Sequence, residues 1–214
     1  MPEIVLPGPE GRIEARYAPG IGLRPPLSII LHPHPRQGGT MNNKVVYHAF
    51  QAFKSLGFST LRFNLRGVGK SQGSFDNGNG ELADAACSLD WLQSKNPNSS
   101  ETWVVGFSFG AWLSLQLLMR RPEIIGFIAI SPPANLYDFA FLSPCPVSGL
   151  IIQGTDDNIV EEELVGILAN RLNNQKNIEI SYKKIKGADH FFSDHLPTIQ
   201  NLIKNYVTAR KNLK

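Results

Sequence analysis

Between residues 27 and 186 the chain returns again and again to short runs of apolar, often β-branched residues: LSIILHP, STLRFNL, TWVVGFS, IIGFIAIS, VSGLIIQG and IEISYKKIK. Most lack the polar alternation of a half-exposed strand, as expected of strands buried on both faces. Segments with helical spacing separate them. Val46, Ala49, Phe50 and Phe53 share one face of a helix that Gly57 stops, and Leu82, Ala85, Ala86, Leu89 and Leu92 share another. The largely apolar FGAWLSLQLLMRR ends before Pro122, and Glu161, Glu162 and Glu163 open the next helix, where acidic groups suit the positive end of the helix dipole. A last helix begins near Pro197, with Leu196, Ile199, Leu202, Ile203 and Tyr206 facing inward. Two short strands, around EIVLP and RIEARYAP, precede the alternation and are separated by the turn PGPEG. The expectation is one α/β domain over residues 1–214: a mainly parallel sheet of about eight strands with helices on both faces.

Composition narrows the functional classes. With 42% hydrophobic and 18% charged residues, the chain is too apolar for disorder. A formal charge of +3 with no dense Lys/Arg stripe argues against nucleic acid as a partner. Lys204, Arg210, Lys211 and Lys214 read as the solvated end of the last helix. No apolar run approaches the ~18 residues of a membrane span, and the start lacks the cationic and apolar regions of a signal peptide. Cys87 and Cys145 are too few for a disulfide framework, and Cys87, in ADAACSLDWL, reads as a buried helical thiol. A cytoplasmic protein is expected, and a homodimer is the default if the chain associates.

In open parallel sheets ligands gather at the carboxyl ends of the strands. There the sequence offers Gly106-Phe107-Ser108-Phe109-Gly110. Alone, G-x-S-x-G arises by chance in roughly a tenth of chains this long. Here it follows a strand and opens a helix, which is the setting of a nucleophile elbow. Such a serine needs a base, and the base a group to orient it. Of five histidines, His190 in KGADHFF stands just after the final strand; His48 belongs to a helix face and His195 to the start of the last helix. The acid is sought after VSGLIIQG, where Asp156 and Asp157 are adjacent and spacing does not separate them. The order Ser, Asp, His differs from that of the two common serine-protease folds.

LHPHP followed by GGTMNN, FNLRGVGKSQGSFD, GFSFGA, QGTDDNIV and GADHFF together resemble the α/β-hydrolase fold over nearly the whole chain. More narrowly, they resemble small, lidless bacterial hydrolases of the dienelactone-hydrolase-like and X-Pro-dipeptidyl-peptidase-like groups. The resemblance implies no lid domain and no cofactor. It also implies a Ser108–Asp157–His190 triad, the superfamily pattern G-x-x-D-x-x-V falling on Gly154 to Val160. Dienelactone hydrolases carry cysteine at the elbow, where this chain has Ser108. An oxyanion hole would take the backbone N–H of Phe109 and, by likeness to the HG-x loops of relatives, that of His34, with Arg36 or Gln37 in its place if the loop turns later.

The expected reaction is acyl transfer from a small ester to water, as a carboxylesterase performs. A thioesterase or a small peptidase or amidase could use the same triad, and a binding protein could keep the fold without turnover. His32 and His34, alternate residues at a strand end, also suggest a metal-dependent hydrolase, although no further ligand cluster stands nearby. Arg36 is the candidate for drawing anionic substrates, whereas Arg66 reads as a loop anchor. Of Phe107, Phe109, Phe139, Phe141 and Phe191, most belong to the core and some to an acyl pocket. The stretch PPANLYDFAFLSPCP is too short for a helical lid.

Overall fold

The first two strands, β1 (Glu3–Gly8) and β2 (Gly11–Ala18), form an antiparallel hairpin because Gly11 supplies the positive φ (107°) at its turn. The computed structural model describes residues 3–212, so Lys214 lies outside it. Beyond the hairpin, strands and helices alternate as β3 (Leu27–Leu31), α1 (Lys44–Ser55), β4 (Ser59–Phe63), α2 (Asn79–Lys95), β5 (Thr102–Phe107) and α3 (Phe109–Arg120). They continue as β6 (Ile124–Ile130), β7 (Gly149–Gly154), α4 (Glu162–Asn173), β8 (Ile180–Ile185) and α5 (Leu196–Asn212). The sheet runs β1-β2-β4-β3-β5-β6-β7-β8; β2 meets β4 antiparallel, and every later pairing is parallel.

Both faces are covered. Leucines of α2 and α3, with Val165 and Leu168 of α4, pack one face together with Leu31, Phe63 and Val104. On the other face Phe50 and Phe53 of α1 and Ile199 and Ile203 of α5 meet Ile30, Val105 and Ile152. The inner strands β3, β4, β5 and β7 are buried at every position, which is why β3, β5 and β7 read as mainly apolar runs, while β4 also buries Ser59, Thr60 and Arg62. Each fully buried Phe or Leu contributes about 1.5–3 kcal/mol. At the edge, β8 exposes Lys183 and Lys184, charges that discourage pairing with another sheet.

Some local details differ from expectation. Cys87 is half-buried, and its thiol donates to the Pro7 carbonyl at 3.1 Å. Glu161 precedes α4, leaving Glu162 and Glu163 in the first turn. Arg66 is the anchor its loop suggested: its N–H and Nε donate to Asp84 Oδ2 and its Nη2 to Oδ1, at 2.8 to 3.0 Å.

The topology fixes where a site can form. From β3 the chain crosses to α1 on one face, and from the neighbouring β5 it crosses to α3 on the other. A crevice therefore opens between their carboxyl ends. Nothing spans it as a domain: residues 131–148, between β6 and β7, contain a single 3-10 turn, Ala140–Leu142. Among the described residues there is no lid, and no helix is long and apolar enough to cross a membrane.

Candidate active site

Ser108 alone makes the turn between β5 and α3, with φ 54° and ψ −122°. A side chain at positive φ is held against a strain of order 1–3 kcal/mol, so its surroundings must impose it. They do. The Ser108 N–H donates to the Ile130 carbonyl of β6 at 2.8 Å. A Cβ at Gly106 would overlap the Gly110 carbonyl, and one at Gly110 would overlap the Leu31 and His32 carbonyls. Only glycine lets strand, turn and helix approach so closely. Phe109, the first residue of α3, has an N–H with no acceptor inside the helix, and its side chain is buried.

Across the crevice, the loops after β7 and β8 are stitched together. Thr155 N–H donates to the Ile185 carbonyl, Asp156 N–H to that of Ala188, and Gly187 N–H to the Thr155 hydroxyl. This turns Asp157 inward. Its Oδ1 accepts the N–H groups of Ile159 (2.9 Å) and Val160 (2.8 Å), while Oδ2 accepts Gln153 Nε2 (3.0 Å) and His190 Nδ1 (2.8 Å). Burial alone would raise the Asp157 pKa; the bonds from His190, Val160 and Ile159 outweigh it, and the carboxyl sits below its ordinary value. Asp156 is exposed and bonds the Thr155 hydroxyl instead, so only Asp157 meets the histidine. With Nδ1–H committed to Asp157, His190 Nε2 is the acceptor facing Ser108 Oγ, at 3.1 Å. The imidazole, 5% exposed, packs on Phe107 and Phe191. A hydroxyl bonded to an imidazole that a carboxylate orients can lose its proton while attacking a carbonyl.

Ser108 and His190 open into a cavity of about 190 Å³ whose other walls include Pro33, His34, Gln37, Asn43, Ile159 and Phe191. The loop after β3 forms the wall opposite His190's loop. β3 stops at Leu31, so the alternation that would align His32 with His34 no longer holds. His32 is fully buried: Nε2 accepts the Leu65 N–H at 3.0 Å, and Nδ1–H donates to the Pro33 carbonyl at 2.6 Å. Burial pushes its pKa down to about 4. Both nitrogens being taken, His32 has none for a metal ion, and the metal-site reading loses a ligand. His34 Nδ1 accepts the Arg36 N–H, and its ring lies against Phe75 and Phe109. Among the described residues, the His34 backbone N–H donates to no carbonyl. Arg36 is exposed with its guanidinium over Phe75, outside the cavity wall. Phe107, Phe109 and Phe139 are core, while Phe191 is 50% exposed at the mouth.

Sequence reasoning missed four residues. Gln153 steadies Asp157; the signal was a lone amide ending an apolar strand. Arg62 holds the Met41 carbonyl and Asn42 Oδ1, and Asn64 holds the Met41 N–H. Asn43 then caps α1 at the cavity edge, its Oδ1 accepting the N–H groups of Val45 and Val46.

Several solved structures share this architecture. A protein of unknown function from Agrobacterium tumefaciens is 51% identical and superposes with a TM-score of 0.96 over 100% of this chain and 98% of its own. An alpha-beta serine hydrolase homologue from Coxiella burnetii is 36% identical, TM-score 0.87, over 96% of each chain. A serine hydrolase without lid from Xanthomonas campestris is 33% identical, TM-score 0.88, over 97% of this chain and 94% of that one. The model of the X-Pro dipeptidyl-peptidase (S15) family matches residues 17–195. With its elbow serine, parallel sheet and uncovered crevice, the chain belongs to that family and is a hydrolase of the α/β-hydrolase fold.

Proposed function

We propose that the protein is a serine carboxylesterase that cleaves small esters by acyl transfer to water. The observation that carries the reading is the unbroken series from Ser108 Oγ to His190 to Asp157, at 3.1 and 2.8 Å. Ser108 Oγ bonds to the ester carbonyl carbon while its proton passes to His190 Nε2. The oxyanion is received by the N–H groups of Phe109 and His34; one such donor contributes about 2.7–4 kcal/mol in enzymes of this kind. Collapse breaks the bond to the alcohol, which leaves with the proton from His190. Water, deprotonated by the same imidazole, then releases the acid and restores Ser108.

The lining of the cavity supports esters over peptides as the substrates. Among the described residues none that lines it is an Asp or Glu that would hold a peptide's amino terminus, whereas Ile159 and Phe191 offer an apolar wall. The test is hydrolysis of p-nitrophenyl acetate together with labelling by a fluorophosphonate. Ser108→Ala should lose both while keeping its thermal midpoint. Activity retained in that variant refutes the reading, and failure of the wild-type protein to label favours a binding protein. Faster turnover of an aminoacyl-prolyl amide than of any short ester moves the assignment to a peptidase.

A further inference from the structure

We propose that Asn43 sets substrate preference: its carboxamide presents hydrogen-bond donors, and no acceptor, to the cavity beside Ser108. The favoured esters then carry an acceptor oxygen close to the scissile group, as 2-alkoxy, 2-hydroxy or 2-oxo acid esters do. This rests on the esterase reading above and deepens it.

The orientation of the amide follows from chemistry. Asn43 Oδ1 accepts from Val45 N–H at 2.9 Å and Val46 N–H at 3.4 Å, and an NH2 group cannot accept either bond. The oxygen is therefore committed to the helix. Nδ2 has no protein acceptor among the described residues, and Asn43 lines the same cavity as Ser108 and His190. Its position is fixed from behind. Asn43 N–H donates to the Thr40 carbonyl, Asn64 and Arg62 hold Met41 at both ends, and Met41 is fully buried. A donor so constrained loses little freedom on binding, which is what makes it selective. The cavity's other wall complements it: Ile159 and Phe191 are 44% and 50% exposed, apolar groups that an acyl chain would cover. Within about 190 Å³, an oxygen that reaches Asn43 lies only a few bonds from the carbonyl Ser108 attacks.

The test compares p-nitrophenyl methoxyacetate with p-nitrophenyl butyrate, which differ by an ether oxygen in place of a methylene. The ratio of their kcat/KM values is measured in the wild-type protein, Asn43→Asp and Asn43→Ser. Both replacements remain good helix caps, so α1 stays intact, but neither carries the amide donor. Taking each variant's ratio against the wild-type ratio cancels the intrinsic reactivity of the two esters. The expected result is a fall of about tenfold in both variants, the loss of one hydrogen bond to substrate. An unchanged ratio overturns the role of Asn43 while leaving the esterase reading intact. Absence of turnover of either ester by the wild-type protein overturns the esterase reading itself.

Discussion

The two sides of the crevice are built by different forces. Around Ser108 the geometry is imposed by exclusion: Gly106 and Gly110 admit no side chain, and the positive φ of the serine follows from how closely β3, β5 and α3 crowd together. Around His190 it is imposed by attraction, with both carboxylate oxygens of Asp157 engaged by directed donors. Crowding is indifferent to protons and salt. A hydrogen-bonded carboxylate is not, so beside Asp157 the geometry itself depends on solution conditions, whereas beside Ser108 the packing does not.

The largest expected effect lies on the attractive side. Asp157→Asn keeps size and shape but withdraws the charge that holds the His190 tautomer, and kcat for an activated ester should fall by about 10⁴-fold. A loss below tenfold would mean that other contacts orient the imidazole. On the crowded side, Gly110→Ala should lower stability by about 3 kcal/mol in urea unfolding, because its Cβ meets main-chain carbonyls of the central strand. An unaltered midpoint there would show that α3 can slide away at little expense.

The third test places one polar pin inside the crowded wall. His32 titrates at about 4 in the fold against 6.5 for an ordinary histidine. Between those values the unfolded chain binds more protons, so folding stability falls with the pH, by up to about 3 kcal/mol. The contribution is complete above 6.5 and disappears as the pH passes through about 4. Asp157, with its lowered pKa, adds its own loss only further into acid. Urea midpoints from pH 7 to pH 4 should therefore decline in the wild-type protein and stay flatter in His32→Gln; parallel curves would remove the pin.

Much of this was legible in the sequence, for reasons that differ by residue. Strands covered on both faces have no polar side to interrupt them, so TWVVGFS and VSGLIIQG announce themselves. Ser108 is legible because the crowding needs glycine on either side of it. Asp157 was not separable from Asp156 by spacing, since the choice depends on the Ile159 and Val160 N–H groups curling back to one carboxylate. The His-x-His reading lost its first ligand because β3 ends at Leu31, before either histidine, and both ring nitrogens of His32 are taken inside the fold. Arg62 was hidden because Met41 and Asn42 become its neighbours only after β4 and the turn before α1 have met; the cap of Asn43 is local, but its place at the cavity edge depends on the same meeting.

The shortness of residues 131–148 carries a kinetic consequence. Enzymes roofed by a movable flap wait for an oil–water boundary to open them. With no such roof over the crevice among the described residues, turnover should follow the concentration of freely dissolved molecules, levelling off where droplets begin to form.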